Sequence, residues 1–159
     1  MTRTSTDPSV LPDRDLTGAV IGAFFHVFRV LGHGFVESVY ERALLAELRK
    51  RGIAADRQVG IQVWYDGAFV GAFRADMLVE GRLVVELKAA ARLEPSHRAQ
   101  LVNYLKAGDL PVGLLLNFGP VPEFIRVVGP AARRTLREPG HEYSGSVSSV
   151  SSVVLLPLG

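Results

Sequence analysis

No cysteine occurs among the 159 residues, which excludes disulfides, thiolate zinc sites, iron–sulfur clusters and a cysteine nucleophile. Lysine is nearly as scarce. Of 18 cationic residues only Lys50, Lys88 and Lys106 are lysines, and the rest are arginine. Charge of one sign is also missing: 18 cations face 16 acids, a net charge of +2, too mild to prove a polyanionic partner by itself. No apolar run approaches the roughly 18 residues of a membrane span. The first residues, MTRTSTDPSVLPDRD, lack the apolar stretch of a signal peptide, so the expectation is a soluble, cytoplasmic protein without membrane contact. No GxSxG elbow, Walker loop or dinucleotide fingerprint is present, which argues against serine hydrolase and nucleotide-loop chemistry. What the chain does have is a core: 48% of its residues are apolar, enough for one packed domain.

The polar, proline-bearing residues 1–15 read as a flexible leader. From Thr17 the spacing of Val20, Phe24, Val27 and Leu31 predicts a helix, stopped by Gly32-His33-Gly34. A second helix is predicted over 36–51, with Tyr40, Ala43, Leu44 and Leu48 facing inward and Arg49-Lys50-Arg51 at its negative end. The period then changes to two. Strands are expected at 57–65, 68–79 and 82–88, joined by hairpin turns at Asp66-Gly67 and Glu80-Gly81. The third is apolar on both faces and so belongs at the centre of the sheet. Pro95 opens a third helix ending near Gly108, and strands at 112–118 and 124–128 close a domain over 16–130. Residues 131–159, a basic segment and the low-complexity tail SGSVSSVSSVV, are expected to be disordered. This order predicts an α/β fold, a mixed central sheet flanked by helices on both faces.

Charged residues interrupt that apolar plan. Asp76 lies in the second strand, and Glu86 and Lys88 lie in the third, inside VVELKA. Alternation sends Glu86 and Lys88 to one face and Val85 and Leu87 to the other. An ordinary acid–lysine pair at the sheet's end is the commonest meaning of such spacing. Register discriminates. A two-residue loop at Glu80-Gly81 would set Asp76 opposite Val85, whereas a three-residue loop or a bulge at Gly81 sets it beside Glu86. The second arrangement is predicted. Two adjacent carboxylates repel, and Mg2+ or Mn2+ held by Asp76, Glu86 and the main-chain carbonyl of Leu87 relieves the repulsion. Lys88 would then position or deprotonate an attacking water. On the third helix His97, Gln100 and Tyr104 share a stripe able to orient water or phosphate, although an ordinary, partly exposed helix face reads the same. Glu37 shares a face with Tyr40, and it also suits the positive start of its helix.

These segments together resemble a known family. Gly34-x-x-Glu37-x-x-Tyr40, RADMLVEGRLVVELKA at 74–89, HRAQLVNYLKA at 97–107 and VGLLLNFG at 112–119 are similar to the GxxExxY protein family of the PD-(D/E)xK nuclease superfamily. The resemblance implies a restriction-endonuclease-like core, with Asp76 and Glu86 as metal ligands and Lys88 as catalytic lysine. It also implies Gln100 and Tyr104 as a RecB-like QxxxY element and Glu37 as the acid of the first core helix. The chain departs from the family pattern at Phe28 and His33, where relatives often carry histidine and proline. The activity expected is metal-dependent hydrolysis of DNA or RNA through a metal-activated water. The alternative is a non-catalytic nucleic-acid-binding or regulatory protein on the same fold, acting as a homo-oligomer or with a helicase or nuclease partner. Arg49, Lys50, Arg51, Arg92, Arg98 and the cluster Arg133, Arg134 and Arg137 would supply its phosphate contacts.

Overall fold

Helix periodicity followed by strand alternation produces, in chain order, α1 (Arg14–Leu31), α2 (Glu37–Lys50), β1 (Ala55–Tyr65), β2 (Ala68–Val79), β3 (Leu83–Lys88), α3 (Pro95–Gly108), β4 (Val112–Phe118), β5 (Pro122–Val128), α4 (Pro130–Thr135) and β6 (Leu155–Pro157). The computed structural model describes residues 13–135 and 155–157. Its six strands form one sheet in the order β5-β4-β3-β2-β1-β6. Among the described residues β3 and β4 pair in parallel and every other neighbouring pair is antiparallel. A right-handed crossover is the usual way to join parallel neighbours, and α3 supplies the connection.

Helices cover both faces, as the element order predicts. Val20, Phe24 and Val27 of α1 and Tyr40, Leu44 and Leu48 of α2 pack with Val85, Leu87, Leu114 and Leu116 on one side. Leu101 and Leu105 of α3 pack with Val84 and Leu115 on the other. The β3 side chains therefore alternate as expected, and every residue of β4 is buried. No helix among the described residues is long and apolar enough to cross a membrane.

Two turns fix the register of the meander. Asp66 and Gly67 both have positive φ (48° and 76°), the backbone of a two-residue hairpin, and Tyr65 pairs Ala68 across it. Between β2 and β3 the loop holds three residues, Glu80, Gly81 and Arg82, so Val79 pairs Leu83 and Met77 pairs Val85. The same register carries Asp76 opposite Glu86, as predicted.

Apart from a register shift between Val63 and Trp64, alternation also fails beside Asp76. Ala55, Met77 and Val79 lie in the core under α1 and α2, whereas Val59, Ile61 and Ala75 lie in the core under α3. A regular strand would keep 55, 59 and 61 on one side, and 75, 77 and 79 likewise. Both strands thus change the face they present, at Gln58 on β1 and at Asp76 on β2. Gln58 has φ 52°, and the ladder passes from Arg57↔Met77 to Val59↔Ala75 around it.

The chain ends differ from expectation. Helix α1 begins at Arg14, inside the segment expected as leader, and residues 1–12 lie outside the described region. Of the segment expected to be disordered, α4 runs to Thr135 and Leu155–Pro157 pairs antiparallel with Val59–Ile61 of β1. An edge strand leaves a row of backbone donors and acceptors unpaired, and even three residues in extended form satisfy part of it. The rest of that segment lies outside the described residues.

Candidate active site

The site forms where the sheet's hydrogen bonding gives way. Pairing of β2 with β3 reaches Met77↔Val85 and stops one residue short of Asp76 and Glu86. The two side chains take over the backbone donors left there. The Asp76 N–H donates to Glu86 Oε1 at 3.0 Å, and the Leu87 N–H donates to Asp76 Oδ2 at 2.8 Å. Each carboxylate thereby reaches the other's strand, and the two are hydrogen-bonded to one another. Leu87, expected to offer its carbonyl, contributes its N–H to the pair.

Burial governs the electrostatics. Glu86 is only 4% exposed, and removal from water, reinforced by the Asp76 charge, pushes its carboxyl up to about 9 from an ordinary 4.5. Burial also raises Asp76, with a further push from the charge of Glu41, while the Leu87 N–H and the bond to Glu86 oppose the rise. The two acids therefore hold a proton between them near neutrality. A buried pair of acids that shares a proton is chemically suited to a hard divalent cation, which would replace that proton. Asp76 and Glu86 fit that role. Among the described residues no group of three or more His, Asp and Glu side chains forms a complete metal cage, so waters and substrate oxygens would fill the remaining positions of such an ion.

Lys88, two residues beyond Glu86, is half-buried and donates to Gln100 Oε1 at 3.5 Å. Gln100 Nε2 donates in turn to the Tyr104 hydroxyl at 3.0 Å. The predicted α3 stripe thus becomes a chain of contacts ending on the β3 lysine. Burial, with the Glu86 and Asp76 charges, keeps the Tyr104 phenol above its ordinary value and so neutral. His97 belongs elsewhere: its Nδ1 accepts from the Glu94 N–H and closes the first turn of α3. A groove of about 440 Å3 runs along α3, lined by Phe73, His97, Gln100, Asn103 and Tyr104, with Phe73 partly exposed and 5.4 Å from Tyr104 between ring centres.

Glu37 is exposed in the first turn of α2, and no contact joins it to the pair. The acid of α2 whose charge reaches Asp76 is Glu41, one turn further on and 5% exposed. Glu41 accepts from Arg57 Nε at 2.8 Å and from Gln58 Nε2 through both oxygens, at 3.0 Å each. Its place on the inward stripe with Leu44 and Leu48 was a signal available in the sequence. Tyr40 is buried for a different purpose. Its hydroxyl donates to Gly32 O at 2.6 Å and receives the Phe35 N–H, while its ring stacks on Phe118 at 4.3 Å, so it clasps the α1–α2 loop.

Two further residues anchor the segment after β3. Asn117, fully buried, accepts from the Ala90 N–H and donates to the Ala90 carbonyl, both at 3.0 Å, and Glu123 accepts from the Leu93 N–H. The closeness requires glycine at 119, where a Cβ would come within 2.1 Å of the Ala90 oxygen. An asparagine inside VGLLLNF was the available signal for this clamp.

A paired Asp and Glu on adjacent strands, with a lysine two residues past the Glu, has a counterpart among known proteins. The model of the PD-(D/E)XK nuclease superfamily matches residues 14–127, most of the chain. The chain belongs to the PD-(D/E)XK nuclease superfamily. Its mixed sheet with helices on both faces is the restriction-endonuclease-like architecture that the resemblance implied. Among solved structures it is similar to one described as the crystal structure of SSO0001, at 19% identity and a TM-score of 0.49. The match covers 63% of this chain and 54% of that one, so the chain spans about half of that protein's length. No curated protein matches.

Proposed function

We propose that the protein is a Mg2+- or Mn2+-dependent nuclease of the GxxExxY type, hydrolysing phosphodiester bonds of DNA or RNA. The observation that carries this reading is the reciprocal bonding of Asp76 and Glu86 across splayed strands, with both acids raised by burial. A bound divalent cation would supply charge for the scissile phosphate and acidify a water at the site. Asp76 and Glu86 would hold the cation. Lys88, bonded to Gln100, would offer its ammonium to the attacking water or the phosphate oxygens, with Gln100 held in turn by Tyr104. Glu41 adds negative charge beside Asp76 from the α2 side. The groove beyond Gln100 offers the Phe73 ring to a nucleobase next to the scissile bond.

The test is cleavage of DNA and RNA oligonucleotides with and without Mn2+ by wild-type, Asp76→Ala and Lys88→Ala proteins. Each substitution is expected to lower the rate by about 100-fold or more. Cleavage that survives both overturns the assignment. Salt-dependent oligonucleotide binding without cleavage or Mn2+ binding would instead make the fold a recognition module.

A further inference from the structure

Among the described residues, five other than glycine have left-handed backbone: Asp13, Gln58, Asp66, Glu80 and Asp109. Four have local reasons. Asp13 precedes α1, Asp109 follows α3, and Asp66 and Glu80 occupy the turns of the β meander. Gln58 alone of the five lies inside a strand, where a side chain with a Cβ disfavours that conformation. Such a backbone persists only where its surroundings impose it, and such strain gathers at functional sites.

The surroundings of Gln58 are those of the acid pair. Its flanking residues pair with Met77 and Ala75, so it stands across from Asp76, at the point where both strands change face. Regular extended backbone would continue the alternation from Ala55 to Val59 without a change of face. The left-handed residue breaks it, and the Gln58 amide meets α2, where Nε2 donates to both oxygens of Glu41. Arg57 holds Oε1 of the same carboxylate. Glu41 is thus gripped by consecutive residues of β1, the second of which stands across from Asp76.

We propose that Gln58 is a positioning residue of the site: its left-handed backbone and its amide set the Glu41 carboxylate beside Asp76 and thereby tune the grip on a divalent cation. The proposal rests on the metal-site reading above. A group that orients an acid near a metal without touching the ion typically controls affinity by about 10- to 100-fold. The ordinary alternative is a tie between α2 and β1 that serves stability alone.

The two differ in a measurable way. Mn2+ binding by the full-length protein is followed by titration calorimetry, and urea unfolding is followed separately in EDTA. Gln58→Gly keeps the left-handed backbone and removes the amide, Gln58→Val removes both, and circular dichroism confirms that each is folded. Gln58→Gly is expected to bind Mn2+ about tenfold more weakly than wild type, and Gln58→Val at least as weakly again. A Gln58→Gly protein with lowered unfolding stability but unchanged Mn2+ affinity overturns the proposal, and so does a wild-type protein that binds no Mn2+. Should Gln58→Val fail to fold, the Gln58→Gly result decides alone. If affinity falls as expected while wild type cleaves neither DNA nor RNA, the positioning role stands and the nuclease reading falls.

Discussion

Replacing Glu86 with glutamine separates the energetic cost of the acid pair from its use. In the metal-free protein the Glu86 carboxyl sits at about 9, against 4.5 in the unfolded chain. For an acid raised on folding, the stabilising contribution is complete below the unfolded value and is lost as pH rises through the folded one. Between pH 4.5 and 7 the unfolded chain ionises while the native carboxyl keeps its proton. At about 1.36 kcal/mol per pH unit, this one group withdraws on the order of 3 kcal/mol. Asp76, also raised, pushes in the same direction. Glutamine reproduces the protonated acid: its oxygen can accept the Asp76 N–H, its amide can donate to the Asp76 carboxylate, and it does not titrate. The metal-free Glu86→Gln protein is therefore expected to match wild type near pH 5 and to exceed it by a few kcal/mol at pH 8. Mn2+ should reverse that order by stabilising wild type and leaving the variant almost unchanged. Urea unfolding in EDTA from pH 5 to 9, followed by the single tryptophan, Trp64, and then repeated with Mn2+, reads both effects. Parallel pH slopes for the two proteins, or equal stabilisation of both by Mn2+, would refute the reasoning.

Three other outcomes follow from contacts away from the acids. Tyr40→Phe keeps the stack on Phe118 and loses both hydroxyl bonds to the α1–α2 loop, and should lower unfolding stability by about 1–2 kcal/mol in urea titrations without altering Mn2+ affinity. Asn117→Ala leaves the Ala90 N–H and carbonyl without their side-chain partner, at a cost of about 2–3 kcal/mol by the same titration. Phe73→Ala should weaken oligonucleotide binding about fivefold or more in metal-free fluorescence anisotropy, while an abasic oligonucleotide binds both proteins alike.

Much of this architecture is legible before any coordinates, because the clearest signals are periodic. The α3 boundaries, Pro95 and Gly108, coincide with the proline at its first turn and the glycine at its end, and the turn at Asp66-Gly67 follows from dipeptide chemistry alone. The facing of Asp76 and Glu86 is legible because one residue of register decides which face a side chain takes. Glu41 and Gln58 are less visible for physical reasons. A glutamic acid on a helix usually points to water, and Glu41 turns inward because Arg57 and Gln58 neutralise and hold it from a strand distant in sequence. Nothing in a glutamine announces a left-handed backbone, which here accompanies a change of face in two strands and bonds to a helix distant in sequence. The same limit applies to Leu155–Pro157, whose role depends on an open edge rather than on its own pattern.

Surface loops ordinarily absorb insertions and deletions at little cost, and the link Glu80-Gly81-Arg82 is exposed at each of its residues. Here the turn decides more than its own shape. Were Arg82 drawn into β3, leaving Glu80-Gly81 alone as the turn, Val85 would slide in front of Asp76 and Glu86 would rotate out of reach, a folded hairpin with its acids divorced. The number of residues the turn keeps for itself at the rim of the sheet thus acts as a gatekeeper for chemistry performed several residues inside.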